Sequence, residues 1–172
     1  LLGDAIKQHY ADLHALALSQ QAEIAVECGY QVPIIATGHL TAMGVSVTES
    51  VRDIYIGTLD AFAANQFPAA DYIALGHIHR AQKVAKSEHI RYSGSPIALS
   101  FDEAKQQKSV NLVYFDADKL DAVELLPVPN FQPMQLLKGN LASLEMQLQD
   151  FPNMADLEDE SVTWLCIEVE EQ

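Results

Sequence analysis

The chain has few cysteines and no long apolar run. Two cysteines occur among its 172 residues, Cys28 and Cys166, and each has apolar neighbours. This usage argues against a disulfide framework and predicts two buried free thiols in a reducing compartment, the cytoplasm. No run approaches the roughly 20 apolar residues of a membrane helix, and no basic-then-apolar segment resembles a signal peptide. We therefore expect no membrane partner.

The motifs of several enzyme classes are also missing. The chain contains no Gly-x-Ser-x-Gly elbow, no Gly-x-x-x-x-Gly-Lys-Ser/Thr loop and no Gly-x-Gly-x-x-Gly fingerprint. Serine nucleophile chemistry and nucleotide phosphate binding are therefore disfavoured, and the apolar setting of both cysteines disfavours a reactive thiolate. The chain starts Leu1-Leu2 without a methionine, so we expect that residues were removed ahead of it or that it belongs to a longer protein.

Basic residues are scarce and confined mostly to one segment. The formal net charge is −14, which argues against a surface wrapped by nucleic acid. Residues 80–115, however, carry six basic side chains against three acidic ones, and they are the only segment with a positive balance. This segment either attracts a polyanion such as a phosphodiester backbone or is a solvated hairpin with ordinary surface lysines.

What the chain does have is an apolar run, a glycine and a histidine, twice. The run from Tyr72 to Leu75 ends at Gly76 and is followed by His77 and His79. If extended geometry persists past the glycine, these two imidazoles leave on the same face. The residues 32–39 repeat the pattern and end in His39. If the two strands are neighbours, the three imidazoles meet at the carboxyl edge of a sheet, where open α/β sheets place their sites.

Three imidazoles at one edge predict a metal site, because imidazole is the commonest side-chain metal ligand. The alternative for any single strand-end histidine is a packed or capping residue. Phosphoester hydrolysis by a metal pair also requires a bridging carboxylate.

The sequence shows no clear candidate for this carboxylate. Asp71 lies at the wrong end of its strand, and Asp102 and Glu103 follow a turn and are not obviously near the histidines. The pair Asp12 and His14 has metal-ligand spacing but falls inside a helical pattern, so we interpret it as helix surface.

The periodicity predicts a helix from Asp4 to about Glu27, which Gly29 terminates, and a series of short strands. We expect the first strand to be buried on both faces because it is uniformly apolar, and a single helical turn before Pro68. The predicted strands are residues 32–37, 54–59, 72–75, 82–85, 89–93, 110–115, 122–126, 134–137 and 162–169.

A proline-rich stretch around residues 127–133 predicts a linker between two units. We expect residues 1–128 to form the first unit and residues 129–172 the second. In the second unit, Asn140 is expected to cap a helix that runs to about Gln149 between two strands. An acidic loop is expected over residues 154–161.

The two strand-end segments with Gly-His resemble the last two metal motifs of the calcineurin-like metallophosphoesterases. The chain resembles most closely the SbcD branch of DNA nucleases within that superfamily. The segments that carry the resemblance are 36–41 (ATGHLT), 51–58 (VRDIYIGT), 71–80 (DYIALGHIHR) and 92–96 (YSGSP). The resemblance covers nearly the whole chain. It implies the C-terminal half of an α/β nuclease domain, part of a four-layer α-β-β-α sandwich, followed by the start of a small α+β capping domain.

The resemblance also implies a function and a ligand set. It implies a Mn²⁺-dependent exonuclease and hairpin-opening endonuclease in double-strand-break processing, with Mg²⁺ or Zn²⁺ as other candidate ions. His39 and His77 would ligate one metal and His79 the other. DNA contacts would come from the basic segment, at Arg80, Lys83 and Arg91. The ATPase SbcC would be the partner, in a heterotetramer built on a homodimer.

The early motifs of that family are absent: an Asp-x-His, a Gly-Asp-x-x-Asp and a Gly-Asn-His-Asp/Glu, which should lie ahead of Leu1. No catalytic residue is therefore assigned within the chain, and we expect the chain alone to lack nuclease activity. Two other functions stay open. One is a phosphatase or phosphodiesterase of the same superfamily, and the other is a non-catalytic interaction module whose histidines hold at most one zinc.

Overall fold

A computed structural model describes residues 2–48, 61–151 and 162–170 of the chain. The first element is helix α1, Leu2–Cys28, as the periodicity predicts. Gly29 ends it with a left-handed φ of +78° and donates from its N–H to the carbonyl of Ala25 at 3.0 Å. Glycine adopts this conformation without the steric cost that a Cβ would bring.

The main sheet has four strands: β1 (Ile35–His39), β2 (Tyr72–Gly76), β3 (Gln82–Lys83) and β4 (Ile90–Tyr92). Their order is β1-β2-β4-β3, with β1, β2 and β4 parallel and β3 antiparallel to β4. The two strands that end in Gly-His, β1 and β2, are therefore neighbours, which is the condition on which the predicted site depends. One 3₁₀ turn, Ala64–Gln66, precedes Pro68 and confirms the predicted single turn.

The prediction that the first strand is buried on both faces is wrong. Strand β1 starts at Ile35 rather than Val32 and lies at the edge of the described sheet, so that Ile35 is 53 % exposed. An apolar run has no feature that marks its place in the strand order, which is why the sequence did not reveal the edge.

The core lies between this sheet, α1 and the segment after β1. Its buried members are Leu40, Ala42, Phe62, Ile73, Leu75, Ile78, Val84, Ile90 and Tyr92. Ile6 and Tyr10 of α1 pack against this cluster, and the ring of Tyr10 contacts Phe62 edge to face at 5.5 Å between centroids. The N-terminal half of the helix therefore contacts the core, and in its C-terminal half the buried Gln21 donates from Nε2 to the Val32 carbonyl.

A hairpin follows the sheet. Strands β5 (Ser109–Asp116) and β6 (Lys119–Pro127) pair antiparallel through a tight turn at Ala117, as predicted, and a second 3₁₀ turn, Phe101–Glu103, precedes them. Val128 extends the connection by donating to the carbonyl of Lys108 at 2.8 Å.

The remaining described residues form a strand–helix–strand unit. Strand β7 (Met134–Gly139) and strand β8 (Trp164–Val169) are parallel, with helix α2 (Leu141–Gln149) between them in the chain. Asn140 caps α2 as predicted, because its Oδ1 accepts the Ser143 N–H at 3.0 Å. The division at residues 128/129 stays a prediction.

The chain is mixed α/β, with three small sheets among the described residues. None of the described helices is long and apolar enough to cross a membrane. The expectation of two buried thiols is wrong: both cysteines are free, but Cys28 at the end of α1 is exposed and Cys166 is half-buried. The strand predicted at 54–59 and the acidic loop at 154–161 lie outside the described residues.

Candidate metal centre

The two Gly-His pairs lie side by side at the carboxyl ends of β1 and β2. Parallel pairing places His39 directly opposite Gly76. The imidazoles of His39 and His77 contact each other, with ring centroids 5.3 Å apart and planes at 61°. The sheet therefore brings two of the three predicted ligands together.

Gly76 makes room for the ring of His39. A Cβ at position 76 would lie 2.9 Å from His39 Nδ1, a separation that real Cβ atoms do not adopt. The absence of a side chain at this glycine thus decides where the first imidazole can sit.

His77 has a strained backbone. Its φ is +96°, a region that costs a residue with a Cβ about 1–3 kcal/mol and that is concentrated at functional sites. Strand β2 ends at Gly76, so the extended geometry that would place His77 and His79 on one face does not continue. That premise of the sequence argument is wrong, because the turn begins at the first histidine.

His79 instead contacts a residue that the sequence argument set aside. Its Nδ1 lies 3.0 Å from Oε1 of Glu103, a carboxylate with no exposed surface. Glu103 ends the second 3₁₀ turn, 24 residues further along the chain. The only sequence signal for Glu103 was that it is an acidic residue that follows a turn.

The turn at Gly94 explains why Glu103, which is distant in sequence, lies next to His79. Gly94 has a φ of +82°, and a Cβ there would lie 2.8 Å from the carbonyl oxygen of His79. Ser95 then donates from its N–H to the same carbonyl at 3.0 Å. The backbone after β4 therefore packs directly on the His79 backbone and carries the 3₁₀ turn to it.

Two of the three cations proposed to contact DNA are paired with one acid. Lys83 and Arg91, opposite each other on β3 and β4, both bind the carboxylate of Glu88. The hydrogen bond from Lys83 is the largest cause of a lowered pKa at Glu88. Arg91 is only 9 % exposed, whereas Arg80 is exposed beside His79. The assignment of these three residues to DNA binding stays a prediction.

The ligand set is incomplete within the described ranges. No group of three or more His, Cys, Asp or Glu side chains there is arranged to hold a metal ion. Asp71 is used elsewhere, since its Oδ2 accepts the Ile34 N–H at the amino end of the sheet. Asp12 lies on the exposed surface of α1, as expected, but the same expectation for His14 is wrong, because His14 is half-buried and its Nε2 is buried. The structure thus presents an imidazole pair and a separate histidine–carboxylate contact.

Comparison with known proteins shows that the chain is similar in sequence to SbcD proteins. The chain is 54 % identical over 166 residues to SbcD of the nuclease SbcCD from Escherichia coli K12, which covers 96 % of this chain and 38 % of that protein. The chain is SbcD-like in sequence. It is also 46 % identical over 81 residues to SbcD of Bacillus subtilis, covering 46 % of this chain and 21 % of the relative.

The SbcD protein of Staphylococcus saprophyticus is 34 % identical over 106 residues, which is 62 % of this chain and 28 % of that relative. No family model matches the chain. The resemblance to SbcD is confirmed, and the chain spans less than two fifths of the Escherichia coli relative's length.

Proposed function

We propose that the chain is part of a metal-dependent DNA nuclease of the SbcD type. In this function it hydrolyses phosphodiester bonds as an exonuclease and as an endonuclease, in the processing of double-strand breaks and hairpins. The main support is the contact between His39 and His77 at a sheet edge, in a chain about half identical to a component of a nuclease.

The side chains at this edge fit part of a metal centre. Imidazoles suit late first-row ions, and the strained His77 backbone is of the kind found at binding sites. We propose His39 and His77 as ligands of one ion and His79 as a ligand of a second. Mn²⁺ is the proposed ion, with Mg²⁺ and Zn²⁺ as alternatives. A bound metal pair would stabilise the attacking and leaving oxygens of the phosphodiester.

No acid among the described residues joins the histidines in a group of three, and we propose that the bridging carboxylate comes from residues ahead of Leu1. The proposed metal centre is therefore built from two parts of a longer protein. This chain contributes imidazoles, and the residues ahead of Leu1 contribute the carboxylates. The chain alone is expected to be inactive.

The proposed assembly follows the names of the relatives, which are components of an SbcCD nuclease. We propose the ATPase SbcC as partner, a homodimer within a heterotetramer, DNA as substrate and the cytoplasm as location. Arg80 is exposed and follows His79 in the chain, and we propose that it contacts the phosphate backbone.

A second candidate function is a non-catalytic interaction module, in which the histidines would hold at most one zinc. The incomplete ligand set within the described ranges is compatible with it as well as with the nuclease. A superfamily phosphatase shares the histidines but does not require the basic segment.

Substrate class separates the three functions. The chain, completed with the residues encoded ahead of Leu1, is assayed with Mn²⁺ on hairpin DNA and on a small phosphomonoester. The nuclease proposal predicts cleavage of the hairpin and its loss in His77→Ala. Hydrolysis of the monoester alone would establish a phosphatase, and no hydrolysis of either substrate would support the module.

A further inference from the structure

Glu103 is a fully buried carboxylate with polar partners on both oxygens. Its Oε1 lies 3.0 Å from His79 Nδ1 and 2.9 Å from Thr48 Oγ1, which donates to it. Its Oε2 accepts from Lys108 Nζ at 2.7 Å, and also from the Ser95 hydroxyl at 3.3 Å and the Leu99 N–H at 3.2 Å. Such a set fixes both the position and the rotation of the carboxylate plane.

Lys108 fixes the same histidine from its backbone side. Its Nζ, on a side chain 9 % exposed, donates to the carbonyl of His79 at 3.2 Å and to the Ser95 hydroxyl at 2.9 Å. One buried ion pair therefore holds both the backbone and the ring of His79. Buried charges in proteins are retained when they are paired and hydrogen-bonded in this way.

The ion pair between Lys108 and Glu103 does not explain why Glu103 also contacts the His79 ring. Lys108 neutralises Glu103 through Oε2, whereas His79 uses the other oxygen. A carboxylate only accepts hydrogen bonds, so His79 must present Nδ1–H to it. In the neutral ring the lone pair is then on Nε2, the nitrogen that can bind a cation.

We propose that Glu103 is a positioning residue for His79. It holds the imidazole in the Nδ1–H tautomer and in one orientation, so that Nε2 is the nitrogen offered to the metal. The metal part of this inference rests on the proposed function. The tautomer part does not, because it concerns only side chains of this chain.

The first test is the tautomer of His79 in the chain without metal. Long-range ¹H–¹⁵N spectra at a fixed pH where the ring is neutral distinguish the two tautomers. The proposal predicts Nδ1–H in the wild type and a shift toward Nε2–H in Glu103→Gln, because a neutral amide accepts less strongly and can itself donate. A wild-type ring in the Nε2–H form would overturn the proposal, whether or not the variant folds.

Asp102→Asn is the matched control, since it removes one negative charge at the adjacent, exposed position. It should leave the His79 tautomer unchanged. If Glu103 only stabilised the fold, Glu103→Gln would lower the melting temperature and keep the wild-type tautomer, which would also overturn the proposal.

The second readout is Mn²⁺ affinity, measured by titration calorimetry on the chain completed with its upstream residues. Glu103→Gln should weaken binding by about 10- to 100-fold, and Asp102→Asn should not. A wild type that binds no Mn²⁺ would contradict the proposed function, while the tautomer result would still decide the role of Glu103.

Discussion

At the residue scale, the space that Gly76 leaves for the imidazole of His39 can be removed with one methyl group. In Gly76→Ala the new Cβ would lie 2.9 Å from His39 Nδ1, so the ring must move. We expect a loss of about 1–3 kcal/mol in unfolding free energy, typical of overpacking, and displaced His39 resonances. Urea unfolding and an imidazole spectrum measure the two effects.

Gly38→Ala is the control for that substitution. It lies in the same strand pair, but its Cβ would meet only Leu75 and Leu40 side chains, at ordinary contact distances of 3.5 and 3.7 Å. Its His39 resonances should stay in place. Equal responses of the two variants would show that Gly76 has no particular relation to the histidine.

Tyr92 holds the chain just after His39 through its hydroxyl. The hydroxyl donates to the Leu40 carbonyl at 2.7 Å and accepts the Ala42 N–H at 2.8 Å, and all three residues are buried. Tyr92→Phe leaves both backbone groups unsatisfied, so we expect a loss of about 1–3 kcal/mol. Tyr114→Phe, on the exposed hairpin surface, should lose much less in the same urea titration.

Burial also raises the pKa of Tyr92 above its usual value. The neutral phenol is therefore favoured in the folded state, and its contribution to stability is present below the unfolded pKa of about 10. That contribution is lost as the pH rises toward and through the raised pKa. The stability difference between wild type and Tyr92→Phe should shrink when urea titrations are moved from pH 8 to above about pH 10. A difference that grows with pH would contradict this assignment.

At the element scale, the hairpin of β3 and β4 sets two cations against one acid. Glu88 binds Lys83 and Arg91 and, like any exposed glutamate, carries a negative charge at neutral pH. The hydrogen bond from Lys83 lowers its pKa further. Glu88→Gln removes that charge. If the hairpin contacts DNA, duplex affinity should rise and the salt dependence, as the slope of log K against log salt, should steepen by about 1.

Fluorescence anisotropy at several salt concentrations measures both quantities. Glu124→Gln makes the same change in charge on β6, where Glu124 accepts from the Tyr114 hydroxyl. Affinity gains of the same size in both variants would mean that overall charge, and not this hairpin, governs binding.

Some secondary-structure elements could be predicted from the sequence, and others could not. Helix α1, the Asn140 cap and the strand at Tyr72 are set by local periodicity and capping chemistry, so they could be predicted. The edge position of β1 and the contact between Glu103 and His79 depend on pairings between distant segments. The turn at His77 depends on a left-handed residue that is not glycine. Neither kind of feature has a local signal.

At the scale of the whole molecule, the central claim is that His39 and His77 ligate a metal in a site completed from outside the chain. Two observations motivate this claim. The ligand set among the described residues is incomplete, and the chain aligns with only 38 % of the length of the Escherichia coli SbcD protein. The overall charge of −14 adds attraction for cations but no selectivity, so a specific site must be demonstrated with single-residue variants.

The most direct measurement is Mn²⁺ binding by titration calorimetry on the chain completed with the residues encoded ahead of Leu1. Three proteins are compared: wild type, His77→Ala and His89→Ala, in which the replaced histidine is exposed and bonded to Ser87. The account predicts that His89→Ala binds like the wild type and that His77→Ala binds more than about tenfold more weakly. Equal Mn²⁺ affinity in all three proteins would contradict it.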